Sequence, residues 1–147
     1  MRQALVFVLL LVVFHLAVTP GPGRPWASTW NDFASRSTAA AAALLTAPWD
    51  VRRPDPTVLA TADGRIALDV HRGCEGLDLA GIYAAGVLAS PAALRSWAWG
   101  LALGLPALAI VNVLRVIALL GVAVVAPGLF HAAHAWAAQL VMILVTL

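Results

Sequence analysis

The chain of 147 residues is 62% hydrophobic and 11% charged, and its mean hydropathy is +0.90. A soluble domain is about half apolar and about a quarter charged, so this composition excludes ordinary soluble folds and predicts a polytopic membrane protein. The net charge of +2 is too weak to indicate a nucleic-acid partner. A single cysteine, Cys74, excludes an internal disulfide and a multi-thiolate metal site. No metal and no cofactor are expected.

The charges are concentrated in one part of the sequence. All seven acidic residues and six of the nine arginines lie between positions 20 and 78, and only Arg2, Arg95 and Arg115 lie outside it. This distribution predicts three regions. Residues 1–19 form a signal anchor and first transmembrane helix, residues 20–73 form an extracytoplasmic segment, and residues 74–147 form a core of three transmembrane helices.

The apolar run at residues 4–18 follows Arg2 and is ended by Pro20 and Gly21. Thr19-Pro20-Gly21 is a poor small-residue cleavage site, which favours a retained anchor over a cleaved signal peptide. His15 within this run is typical of a histidine at a helix interface.

The polar segment is predicted to carry a short surface helix and a hairpin. Residues 39–47 are alanine-rich and too short to span a bilayer, and prolines follow them. Trp26 and Trp30 are typical of the membrane interface. Asp63-Gly64 between two β-prone runs predicts a hairpin over residues 58–70, whose second strand leads to Gly73-Cys74.

The apolar half contains three further runs, at about residues 77–90, 97–126 and 130–147. The first reaches about 20 positions if it is extended to 74–94, which is an adequate span. We therefore expect an all-α polytopic membrane protein with about four transmembrane helices and a small extracytoplasmic segment containing a β-hairpin. If Arg2 and Arg95 are cytoplasmic, as the positive-inside rule favours, Cys74, Arg115 and His134 reach the same outer face.

These three side chains each have an ordinary and a functional interpretation. A free cysteine is often a small buried hydrophobe, but a thiol at a helix N-terminus has a lowered pKa and becomes nucleophilic. An arginine inside an apolar span costs a few kcal/mol and usually marks a functional site. Asn112, three residues before Arg115, shares its helical face. His134 is a candidate acid/base, and His131 on the same face is an open alternative.

Three motifs carry a family resemblance: Gly73-Cys74-Glu75-Gly76, then Asn112-Val113-Leu114-Arg115, then a histidine opening the last apolar run. Together they resemble the exosortase/archaeosortase family over about residues 58–147. The spacing of His134, Trp136 and Gln139 is most similar to the small exosortase H type. Glu75 departs from the serine that often follows the family's cysteine.

The resemblance implies a membrane-embedded cysteine protease or transpeptidase. Its partners would be the lipid bilayer and substrate proteins with a C-terminal sorting signal, which consists of a motif, a transmembrane helix and a basic tail. Cys74 would be the nucleophile, Arg115 its electrostatic partner and His134 the acid/base. Asn112, Asp78 and Gly76 are the candidates for substrate binding. The enzyme would lie in a bacterial cytoplasmic membrane, with its site facing the periplasm.

Asp78 lies four residues after Cys74, so one helix would place it to orient His134 or to pair with Arg115. A carboxylate at headgroup level is an equally good interpretation of Asp78. Two other hypotheses compete with the enzyme. One is a non-catalytic membrane subunit or assembly factor, and the other is a helix bundle holding haem between His15 and His131 or His134.

Overall fold

The computed structural model describes residues 2–21, 23–71 and 73–137. Helix α1 (Arg2–Val18) and helix α2 (Pro25–Thr46) come first, followed by a 3-10 turn at Ala47–Trp49. Strands β1 (Arg52–Asp55), β2 (Val58–Ala60) and β3 (Ala67–Asp69) follow. Helices α3 (Leu77–Ala89), α4 (Leu94–Val125) and α5 (Phe130–Ala132) complete the order, and α5 continues as a π-helical turn at Ala133–Ala137.

The expectation of about four transmembrane helices is wrong. Within the described residues only α4, with 32 residues, is long and apolar enough to cross a membrane. Helix α1 has 17 residues and α3 has 13, about 26 and 20 Å at 1.5 Å per residue, against an apolar core of about 30 Å. Most of the fourth predicted run, residues 138–147, lies outside the described residues.

The predicted second transmembrane helix is too short to span a bilayer, because the backbone conformation stops α3 at each end. Gly76 precedes the helix with φ +81°, a left-handed conformation that cannot continue an α-helix. At the other end Ser90 is extended, as expected of a residue before proline. Residues 74–76 and 91–94 therefore do not lengthen α3 as the apolar composition predicted.

Helix α2 is longer than the short surface helix predicted at residues 39–47. It begins with Pro25 at its first turn, a position that proline favours. Its buried residues recur every three or four positions and are almost all small: Ala27, Asn31, Ser35, Thr38, Ala39, Ala42 and Thr46. Such a stripe allows close approach, and it packs against α4. Asn31 Nδ2 donates to the carbonyl of Val18 at 2.7 Å, which ties α2 to the end of α1.

The hairpin predicted around Asp63-Gly64 is present as β2 and β3, with Leu59 opposite Leu68. Asp63 accepts hydrogen bonds from the Thr61 hydroxyl at 2.6 Å and the Arg65 amide at 3.1 Å, which stabilises the turn. β1 adds a third antiparallel strand at the edge of β2. Pro54 is compatible with β1 because an edge strand tolerates a missing donor.

The core lies where α2, the sheet and α4 meet. It contains Ala39 and Ala42 from α2, Leu59 and Val70 from the sheet region, Val116 and Leu120 from α4, and Cys74. Helix α3 packs between α1 and α4. Cys74 is therefore held at the junction between a small sheet and the longest helix.

Candidate active site

Cys74 lies in a turn between β3 and α3, not at the first turn of a helix. Its backbone N–H donates to the carbonyl of His71 at 2.8 Å, and Gly76 is the residue that caps α3. The side chain is only 6% exposed and belongs to the apolar core. The helix expected to activate the thiol therefore begins three residues further along the chain, at Leu77.

Asn112 joins the cysteine turn to Arg115. Its Nδ2 donates to the carbonyl oxygen of Cys74 at 2.9 Å, and its Oδ1 accepts from a terminal nitrogen of Arg115 at 3.3 Å. The Asn112 side chain is 2% exposed, so both ends of a buried amide are satisfied. This hydrogen-bonded chain brings together two sequence motifs that are 38 residues apart.

Gly76 makes room for that amide. A Cβ built at Gly76 would lie 3.0 Å from Cγ of Asn112, closer than real Cβ atoms normally approach. Together with its positive φ, this contact explains why the position needs glycine. Gly76 thus lies beside the site, where it supports the Asn112 side chain.

Arg115 is 8% exposed although it carries a permanent charge. One terminal nitrogen is bonded to Asn112, but the buried Nε has no acceptor within the described residues. A guanidinium carries five donors, and leaving a buried one unmet is costly. Arg115 can therefore donate to an oxygen of a bound molecule without breaking its bond to Asn112.

Burial raises the pKa of the Cys74 thiol above its usual range. The Arg115 guanidinium opposes this by favouring the thiolate, while the neighbouring Glu75 carboxylate raises the pKa further. The expectation of a thiol acidified by a helix dipole is therefore wrong, because removal from water outweighs the nearby positive charge.

His134 stacks on Phe130 with ring centroids 5.9 Å apart. Its pKa is lowered first by burial and then by the positive charge of Arg115, with smaller contributions from His71 and His131. Its Nδ1 is buried and has no hydrogen-bond partner within the described residues. His131 is exposed, so the structure distinguishes the two histidines that the sequence left as alternatives.

The charge of Arg115 acts on both Cys74 and His134, since it lowers the pKa of each. A raised thiol pKa and a lowered imidazole pKa favour the same resting state, in which both groups are neutral. A neutral imidazole is a competent proton acceptor. The arrangement can hold an acceptor oxygen at Arg115 and accept a proton at His134.

Asp78 lies apart from this cluster. It is exposed, and it lines a cavity of about 430 Å³ between α1 and α3 together with His15. The expected relation to Cys74 does not hold because the left-handed Gly76 interrupts the helix between the two residues. The structure therefore does not place Asp78 beside Arg115.

Sequence reasoning missed the surroundings of Glu75. Glu75 is only 8% exposed, and it borders a groove of about 360 Å³ between α2 and α4. The α2 wall of the groove is formed by Ser37, Thr38, Ala41 and Leu45, whose spacing of three or four residues on one helical face is the signal for it in the sequence. The prediction of a separate surface helix at residues 39–47 divides this face of α2 in two and therefore hides the pattern.

Comparison with known proteins identifies no relative. No family model, no curated protein and no solved structure matches the chain.

Proposed function

We propose that this chain is a membrane-embedded cysteine protease or transpeptidase of the exosortase type. Its substrates would be proteins with a C-terminal sorting signal, processed in the cytoplasmic membrane of a bacterium with the site facing outward. The observation that carries the proposal is the chain from the Cys74 carbonyl through Asn112 to Arg115. A buried arginine with an unmet donor, adjacent to the sole thiol, is the type of group that stabilises an oxyanion.

The reaction begins from the neutral pair. The sulfur of Cys74 attacks the carbonyl carbon of the scissile peptide as its proton passes to His134, and the oxyanion that forms accepts from Arg115. The carbon–nitrogen bond then breaks, and the proton on His134 goes to the leaving amine. This step leaves a thioester between the substrate acyl group and Cys74.

The second half restores the enzyme. Water, an amine or a glycan hydroxyl attacks the thioester carbon while His134 takes its proton. The carbon–sulfur bond then breaks, and His134 returns that proton to the sulfur of Cys74. Because Asn112 already fills one donor of Arg115, the guanidinium is oriented before the substrate arrives. A preorganised donor is most effective where water is excluded.

The test co-expresses the chain with a membrane-bound reporter that carries a motif, a transmembrane helix and a basic tail at its C-terminus. Cys74→Ala, Arg115→Gln and His134→Ala should each abolish cleavage of the reporter, whereas His15→Ala on α1 should cleave normally. A hydroxylamine-sensitive acyl adduct should form on the wild-type chain. Normal cleavage by Cys74→Ala would refute the proposal.

One observation favours the alternative, a non-catalytic membrane subunit. Cys74 is packed in the apolar core, as a structural cysteine would be. In that case Cys74→Ala would retain every cellular function of the chain, and no acyl adduct would form in the wild type.

A further inference from the structure

The outer edge of strand β3 carries backbone groups that point away from the sheet. The strand order is β1-β2-β3, so within the described residues β2 is the only strand that pairs with β3. The Val70 amide donates to the Thr57 carbonyl on the β2 side at 2.9 Å. Residues that bond to the partner strand alternate along an antiparallel pair. Ala67 and Asp69 therefore direct their N–H and C=O groups away from β2, and both residues are exposed.

The two edges of the sheet differ in how they are protected. Strand β1, at the opposite edge, contains Pro54, which lacks an N–H donor, and two arginines. Proline and charged side chains are the usual means by which a protein keeps another chain off a sheet edge. Strand β3 has the sequence Ala-Leu-Asp, with no proline and a single charge. The edge of β3 is therefore the one at which an added strand fits.

A groove runs along this edge of β3. Residues 65–68 form one wall, and Ala123, Pro127 and Phe130 form the other. Successive side chains of a strand point to opposite faces, so a groove lined by four consecutive residues lies at the edge of the strand. Its volume is about 260 Å³, whereas one helical turn about 10–12 Å across and about 5.4 Å long encloses roughly 420–610 Å³. The groove therefore fits an extended peptide and not a helix.

Both walls of the groove lead to the candidate catalytic groups. Strand β3 ends at Asp69, and the chain then turns, with the Cys74 amide donating to the His71 carbonyl at 2.8 Å. A peptide paired with β3 needs about two more residues, at about 3.3 Å each, to reach that turn. In the opposite wall, the Phe130 ring stacks on His134 with ring centroids 5.9 Å apart. A peptide in the groove would therefore lie between the strand that leads to the thiol and the ring that supports the imidazole.

We propose that the exposed edge of β3 binds the substrate, and that an extended segment of the substrate polypeptide pairs there with the backbone of Ala67 and Asp69. Adding a strand to an exposed sheet edge is a recurrent mode of peptide recognition, in which main-chain hydrogen bonds supply the affinity. This inference rests on the proposed protease or transpeptidase function. It specifies that the site receives the extended motif of the sorting signal and not its transmembrane helix.

The experiment isolates main-chain pairing with a probe whose side chains are all methyl groups. The full chain in detergent reacts with acetyl-tetraalanyl chloromethyl ketone, from which the Cys74 thiolate displaces chloride to form a thioether. Chloroacetamide serves as the reagent without a peptide. Four further probes each carry one N-methyl group, on each alanine in turn. The rate of modification of Cys74 is measured by intact mass and divided by the rate of the same probe with glutathione, which corrects for intrinsic reactivity.

The expected result is a pattern with a period of two. A strand added to one edge donates from the N–H groups of alternate residues. N-methylation at those alanines should slow modification of the wild-type chain about tenfold, because it removes a hydrogen bond and places a methyl group against the edge. N-methylation at the alanines between them should have little effect. The unmethylated probe should react at least about tenfold faster than chloroacetamide.

Two proline variants test the assignment to β3. Ala67→Pro removes an N–H that faces the groove and leaves the hydrogen bonds between β2 and β3 in place, so it should slow the unmethylated probe about tenfold and leave chloroacetamide unchanged. Ala62→Pro is the matched control in the same hairpin. Ala62 is the second residue of the turn in which the Gly64 amide donates to the Thr61 carbonyl at 2.9 Å, a position that proline favours. This variant should react like the wild type.

The outcomes separate the two proposals. If the tetraalanyl probe exceeds chloroacetamide but N-methylation has no alternating effect, the assignment to β3 is wrong and the proposed function stands. A tetraalanyl probe no faster than chloroacetamide also overturns the assignment, because main-chain pairing requires no particular side chain. If the alternation is present but the membrane-bound reporter is not cleaved and no acyl adduct forms, peptide binding at β3 stands and the proposed function fails. The scan of the wild-type chain decides even if Ala67→Pro does not fold.

Discussion

At the scale of single residues, the site depends on one amide. Asn112 donates a hydrogen bond to the Cys74 carbonyl and accepts one from Arg115. It therefore fixes the position of the Arg115 guanidinium relative to the turn that carries Cys74. The sequence indicated that Asn112 and Arg115 share a helical face, since they are three residues apart. It contained no sign that the second partner of Asn112 is the backbone of Cys74, because that contact joins distant parts of the chain.

The first prediction concerns the reactivity of Cys74. Because burial raises the thiol pKa, alkylation by N-ethylmaleimide should be slower at pH 7 than that of a free cysteine. At pH values below the pKa, the thiolate fraction rises about tenfold per pH unit. The alkylation rate of Cys74 should therefore still be rising above about pH 8.5, which is the ordinary pKa of a free thiol. Rates are measured by intact mass from pH 6 to 10.

Arg115→Gln should raise the thiol pKa further and slow alkylation at each pH, because it removes the charge that favours the thiolate. Arg95→Gln, at an exposed arginine, is the control and should have no effect. The raised pKa of Cys74 also makes the stability of the fold depend on pH. Because the folded state disfavours deprotonation of this thiol, the free energy of unfolding should fall as the pH rises through the folded pKa. If the alkylation rate of the wild-type chain instead levels off at or below pH 8, Cys74 is an activated thiolate.

The second prediction compares two glycines with positive φ. Gly64 (φ +68°) has nothing within 4 Å of a built Cβ, whereas at Gly76 (φ +81°) that atom meets the Asn112 side chain. Gly64→Ala should cost about 1 kcal/mol of unfolding free energy from backbone strain alone. Gly76→Ala should cost about 2–4 kcal/mol, because Asn112 is fixed by two hydrogen bonds and cannot yield. Equal losses in thermal unfolding followed by circular dichroism would show that the amide relaxes freely.

At the scale of elements, backbone geometry decided where helices end, and hydropathy did not. The apolar run around α3 predicted a full span, but Gly76 and Ser90 limit the helix to 13 residues. Conversely, the polar start of α2 concealed a helix of 22 residues, because serine, threonine and aspartate lower its hydropathy without preventing helix formation. The hairpin was predictable because Asp63-Gly64 specifies its own turn locally.

The third prediction tests the packing of α3. A Cβ at Gly81 would overlap the ring of Phe14 on α1, whereas at Gly86 on the same helix nothing lies within 4 Å. Gly81→Leu should therefore lower the unfolding temperature of the detergent-solubilised chain by several degrees, since overpacking costs about 1–3 kcal/mol. Gly86→Leu should leave it nearly unchanged. If both variants melt alike, α1 and α3 do not pack through Gly81.

At the scale of the whole molecule, α4 is the one helix among the described residues that is long and apolar enough to cross a membrane. It also carries Asn112 and Arg115 and contributes Val116 and Leu120 to the core. The same helix is therefore partly covered by α2, α3 and the sheet and partly exposed. Leu103 and Leu114 are among its exposed apolar residues.

The fourth prediction concerns that exposed apolar surface. Leu103→Arg should reduce the fraction of the chain that resists extraction from membranes by alkaline carbonate, because a charged side chain facing lipid within an apolar span is unfavourable. Leu44→Arg places the same charge at an exposed position on α2, which is not a candidate span, and should extract like the wild type. Identical extraction of the two variants would argue against insertion of α4.

The sequence by itself determined the apolar character of the chain, the long helix around Arg115, the hairpin at Asp63-Gly64 and the small set of reactive side chains. These features depend on composition or on neighbours within a few residues. Only the tertiary structure decided that Cys74 is buried and neutral, that Asp78 lies against α1 and that Glu75 borders a groove. Each of these depends on which distant surfaces exclude water from a group, and such surfaces come together only when the chain has folded.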